Sequence, residues 1–75
     1  MSNVTPLPVE ADALLRPDQA ARFLNVTNSC LERWRARGGG PPFVRISRML
    51  VRYRRADLVA WIASRLSTRT LSYAE

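Results

Sequence analysis

Near its middle the chain reads Gly38-Gly39-Gly40-Pro41-Pro42, and no regular element runs through those five residues. Glycine closes a helix readily, while two prolines, fixed in φ and without amide protons, keep it from restarting. The fold must be assembled from the segments on either side of this break. The two sides differ in period: upstream the apolar residues recur at helical spacing, and downstream they alternate.

Upstream, LLRPDQAARFLNV predicts a first helix over 17 to 24. Pro17 suits the first helical position, where its missing N–H costs nothing, and Asp18 stands near the positive helix end. Ala20, Phe23 and Leu24 share one face. Asn25 tolerates a left-handed turn, Val26 can tuck inward, and Thr27 is a good N-cap for a second helix ending near Arg37. Leu31 and Trp34 are expected to dock that helix on the first. Two short helices joined by three residues describe a helix-turn-helix.

Downstream, Val44 and Ile46 alternate with Arg45 and Ser47, and Val51 and Tyr53 alternate with Arg52 and Arg54. Two such runs about Ser47-Arg48-Met49 predict a hairpin with an apolar face and a face carrying Arg45, Arg52 and Arg54. A third helix comes next in ADLVAWIASRL, with Leu58, Trp61, Ile62 and Leu66 along its inner stripe and Asp57 in its first turn. The expected fold is α+β, a small winged helix-turn-helix with three helices and a two-stranded β-hairpin wing. It occupies 14–66, between a flexible N-terminal leader, 1–13, and a flexible C-terminal tail, 67–75.

Charge is concentrated in the same region. Residues 33 to 55 hold eight arginines and no carboxylate; the rest of the chain has four arginines against six carboxylates, a balance of −2. All twelve basic residues are arginine. A GC-rich genome also produces that bias, but the guanidinium fork grips phosphates and guanine edges bidentately as lysine cannot. A cationic patch of this kind predicts a polyanionic partner, nucleic acid before membrane.

Other classes are excluded or disfavoured by what the chain lacks. There is no histidine and one cysteine, Cys30, so a histidine triad, a histidine metal cluster and a disulfide framework are ruled out. The six carboxylates form no convincing pair, so the chain is expected not to be an enzyme and to need no cofactor or metal. No stretch approaches the roughly 18 apolar residues of a membrane span, and the N-terminus does not resemble a secretory signal. A soluble cytoplasmic protein without membrane contact is expected.

The run LLRPDQAARFLNVTNSCLERWRARGGGPPFVRI, with VRYRRADLVAWI after it, resembles the excisionase family of MerR-like winged-helix proteins. These are also called recombination directionality factors, and AlpA-type phage regulators are close relatives. The resemblance rests on Leu14 to Pro17, Ala20 and Ala21, Val26, Gly38, Pro41 to Phe43, and Arg52 to Trp61. Two positions depart from the pattern: Asn25 replaces the usual turn glycine, and the tip Ser47-Arg48-Met49-Leu50 is a residue longer. The resemblance implies a bacterial, nucleoid-associated protein that bends double-stranded DNA near an attachment site and helps a site-specific integrase excise a mobile element. It also implies head-to-tail self-association along DNA. A transcription regulator of such an element would use the same surface. A third possibility is an adaptor whose tail, 67–75, docks on an integrase.

By analogy with helix-turn-helix docking, Asn28, Ser29, Glu32 and Arg33 are the candidate base readers. Asn28 and Ser29 also suit plain helix-start chemistry, and Glu32 equally suits an intrahelical pair with Arg35. Arg35 and Arg37 are candidate phosphate clamps. In the wing, Arg45, Arg52 and Arg54 would grip backbone while Arg48 reaches a minor groove. Trp34, Tyr53 and Trp61 are expected in the core, and Cys30 as a small half-buried residue.

Overall fold

The structure, a computed structural model, describes residues 7–66. In chain order it has β1 (Leu14–Leu15), α1 (Pro17–Leu24), α2 (Asn28–Arg37), β2 (Val44–Ser47), β3 (Leu50–Arg54) and α3 (Arg55–Arg65). The three helices and the hairpin stand where the sequence places them. The additional element is β1, which makes the sheet three-stranded and antiparallel in the order β1-β3-β2.

Each boundary has a local cause. The N–H of Arg16, just ahead of α1, donates to the Gln19 side chain at 2.9 Å, and Pro17 opens the helix. At its far end Asn25 is left-handed (φ 60°) and the Val26 N–H reaches back to the Ala21 carbonyl at 2.9 Å. That closure places Val26 against the core, as a hydrophobic residue in this position commonly is. The Thr27 hydroxyl then accepts from the Cys30 N–H at 3.0 Å and starts α2. α3 starts without a side-chain cap. Its first N–H groups, from Arg55 and Ala56, donate instead to the carbonyls of Ala13 and Ala11 at 2.9 and 3.0 Å. Residues 11 to 13, expected as part of a loose leader, therefore act as the N-terminal cap of the last helix.

The core is small: Leu15, Ala20, Ala21, Leu31, Val51, Tyr53 and Leu58, with Leu7, Phe23, Leu24, Val26, Trp34 and Phe43 packed around it. Each fully buried leucine contributes about 1.5–3 kcal/mol by leaving water. A chain this short hides only about 60% of its unfolded surface, so few of these side chains are dispensable.

Trp34 packs against the core and also sets its ring against Trp61 of α3, centroids 5.3 Å apart and tilted by 56°. Two expectations about packing are corrected. On α3 only Leu58 is fully buried, while Ile62 and Leu66 are exposed. The second concerns the wing. Val44 and Ile46, expected to face inward, are 40% and 51% exposed. The pairing explains it: Val44 lies opposite Arg52 and Arg45 opposite Val51, and directly opposed residues share a face. The core side of β2 thus carries Arg45. The register slips by one residue between Arg45 and Ser47, and this bulge absorbs the extra length of the wing.

The glycine-proline break has its own geometry. Gly38 and Gly39 have φ of 92° and 99°, values that side chains resist. At Gly40 the constraint is space, because a Cβ there would lie 2.6, 2.8 and 2.9 Å from Trp34 side-chain atoms. Since the nearest is the Trp34 Cβ, held by its helix, Gly40→Ala is expected to destabilise the domain by about 1–3 kcal/mol. Thermal unfolding checks this; an unchanged midpoint would mean that the tryptophan yields without cost.

Candidate nucleic-acid interface

α2 has two sides. Leu31 is fully buried and Trp34 half-buried, while Asn28, Ser29, Glu32, Arg33 and Arg37 are exposed. The spacing i, i+1, i+4, i+5 sets Asn28, Ser29, Glu32 and Arg33 along one outer stripe from the first turn onward. Because Thr27 supplies the cap, Asn28 and Ser29 are not used for it. Among the described residues none of these four side chains has a polar partner, and Glu32 forms no pair with Arg35. The stripe is therefore chemically open: an amide, a hydroxyl, a carboxylate and a guanidinium, all presented outward.

Arg35 does something the sequence does not suggest. Its Nη1 donates to the Tyr53 hydroxyl at 2.8 Å, across from the recognition helix to the central strand. Tyr53 is 1% exposed, and its ring meets Phe43 at 6.1 Å. Next along the same face the Arg45 guanidinium lies over the Phe43 ring, 5.6 Å from its centroid. Arg45 also donates to the Arg48 carbonyl at 3.3 Å, bracing the wing turn. The row Arg35, Tyr53, Phe43, Arg45 thus ties α2 to the wing through two cations and two rings.

The wing arginines do not share the one face that strict alternation predicts for them. Arg52 and Arg54 project from the side away from Val51 and Tyr53, whereas Arg45 lies on the Val51 side. Their partners differ as well. Arg54 makes a 2.8 Å ion pair with Asp57 and a looser 3.8 Å one with Asp12. Its hydrogen bond to Asp57 holds it charged more firmly than an ordinary guanidinium. Arg52 donates to the Val51 carbonyl at 2.8 Å. Arg48 sits in the exposed turn, and its side chain has no polar partner among the described residues.

Sorting the cations by partner separates two sets. Arg16 and Arg54 are offset by carboxylates, Arg55 lies over Phe23, and Arg65 over Trp61 with a 2.7 Å bond to the Gly39 carbonyl. Arg33 and Arg37 on α2 and Arg48 on the wing carry charge that the described residues leave unpaired. Arg35, Arg45 and Arg52 are anchored by neutral groups and keep their charge available. These six belong to α2 or the wing, Arg55 and Arg65 of α3 are likewise held by neutral groups and keep their charge, and no carboxylate interrupts residues 33 to 56. Such an arrangement favours a polyanion and offers it base-reading groups beside it.

No described helix is long and apolar enough to cross a membrane, and no described group of side chains is suited to hold a metal ion. The tail expected at 67–75 lies outside the described residues. Compared with known families, the chain matches the helix-turn-helix domain over residues 14–66. No curated protein is found to match it.

The Arg35–Tyr53 bond generates a test of its own. Tyr53→Phe removes one hydroxyl and should cost about 1–2 kcal/mol in chemical denaturation. Tyr53→Ala, which also empties the core, should cost about 3–5 kcal/mol. A loss for Tyr53→Phe within error of zero would show that water replaces the bond freely.

Proposed function

The chain belongs to the helix-turn-helix domain family, and from that premise we propose that it is a sequence-specific DNA-binding excisionase, a recombination directionality factor that bends DNA beside an attachment site for a site-specific integrase. The observation that carries this reading is the outward stripe of α2, with no partner among the described residues for Asn28, Ser29, Glu32 or Arg33, set beside a wing whose arginines remain charged. The first turns of α2 enter the major groove. There Arg33 faces a guanine, Asn28 an adenine and Glu32 a cytosine amino group. Arg37 and Arg35 lie against phosphates, Arg35 with the donors its bond to Tyr53 leaves over. Arg45 and Arg52 meet the backbone on the wing side, and Arg48 reaches the minor groove.

Arg54 is assigned differently from the sequence reading. With Asp57 and Asp12 beside it, its charge is largely spent within the fold, so it serves the join between β3 and α3. One copy reads few base pairs. Neighbouring copies arranged head-to-tail along the DNA supply the selectivity a single recognition helix lacks, by raising one another's effective concentration. The site of action is the bacterial cytoplasm, on the nucleoid, and no catalytic step or cofactor is involved.

Selection from sheared DNA of the source genome at moderate salt tests the biological role. Closely spaced direct repeats beside an attachment site are expected; isolated promoter sites would instead make the protein a regulator of the element. Absence of any enrichment would leave the adaptor reading. With about six phosphate contacts, log affinity should fall against log salt with a slope of about −5. Arg33→Ala should lose discrimination at a single base pair. Arg52→Ala should weaken all sequences alike and flatten the slope by about one. Arg54→Ala should leave the slope nearer to the unmodified value, with its cost appearing in stability. An equal, sequence-blind loss from Arg33→Ala and Arg52→Ala would overturn the division between readers and clamps.

A further inference from the structure

The wing turn carries a large apolar side chain at its tip. Here the two tip residues are Arg48 and Met49, and neither has positive φ. Met49 is 89% exposed, the highest value among the exposed large apolar side chains. Ile46 and Leu50, also exposed, extend the apolar surface along the wing.

The surroundings of the methionine point to its occupant. Arg45, Arg48 and Arg52 flank the tip, and none is paired with a carboxylate among the described residues. The turn is held from beneath, by the Arg45 bond to the Arg48 carbonyl and the Arg45 stack on Phe43, which rests on buried Tyr53. An apolar, polarisable side chain on a braced cationic hairpin is suited to press between base pairs while its neighbours hold phosphates.

The geometry points to Met49 as a wedge that enters a base step of the minor groove, partially unstacks it and kinks the duplex. This deepens the DNA-binding reading and rests on it: Arg48 supplies attraction to the groove, and Met49 the deformation. It also places the origin of bending at one residue of the wing, where sequence preference would track the flexibility of the step, with pyrimidine–purine steps favoured.

The test uses the full chain and a short duplex carrying the site recovered by genomic selection, with 2-aminopurine placed at successive positions under the wing. At saturating unmodified protein, fluorescence should rise at one step and end-to-end energy transfer should report a bend of about 20–90°. Met49→Ala and Met49→Gln should lose both the rise and most of the bend. Met49→Leu should keep both. Arg48→Ala should need more protein to saturate and then bend normally. A Met49→Ala complex with unchanged bend and unchanged fluorescence overturns the wedge while leaving DNA binding intact. Failure of the unmodified protein to enrich any DNA overturns both readings.

Discussion

Everything on the candidate interface is referred to one buried ring. Tyr53 lies on the central strand, beside Leu15 of β1, with Phe43 on its flank and Arg35 of α2 on its hydroxyl. In a domain with so few buried side chains, a single residue that touches a strand, a loop and the recognition helix sets their relative positions. The hydroxyl matters because α2 has only Leu31 fully buried. The helix is pinned by that leucine, by the Trp34–Trp61 contact and by the Arg35 bond, three points that together fix its rotation about its own axis. Rotation decides which of Asn28, Ser29, Glu32 and Arg33 faces outward.

The distribution of cations shows a second economy. A basic chain folds against its own repulsion, and the described arginines meet that in different ways. Some are matched by carboxylates, some rest on aromatic rings, and some hydrogen-bond to carbonyls or to a phenol. Only the carboxylate pairs subtract from the field the molecule presents outward. The rings and carbonyls order the guanidinium without cancelling it, which is what a surface awaiting a polyanion requires. Arg35 and Arg45 are the clearest cases, ordered by Tyr53 and Phe43 yet still cationic.

Much of this is legible in the sequence, and the exceptions have physical causes. Helix limits come through because Pro17, Asn25, Thr27 and Gly38 each have a strong backbone preference. The open stripe of α2 is legible for the same reason, since Thr27 fixes the helical phase. The sheet register is not legible: alternation gives which residues of one strand agree, but the face shown by a second strand depends on a bulge that one sequence does not announce. That is why Arg45 and Arg52 part company. β1 escapes notice because two residues are too short to show a period. The place of Arg35 is hidden because a long side chain can turn toward strand or solvent, and only the position of Tyr53 decides it.

The pairing of β1 with β3 also carries a consequence for synthesis. Leu15 finds its strand partner in Tyr53, and the carbonyls of Ala11 and Ala13 find theirs in the first turn of α3. A chain leaving the ribosome has α1 and α2 free to form early, since both are local and well capped. Its sheet cannot close until residues from the far side of the glycine-proline break have emerged. The nascent chain therefore passes through a stage in which a helical pair carries uncovered leucines. Closure of that long loop, slower than any helix formation here, is the step that completes the domain.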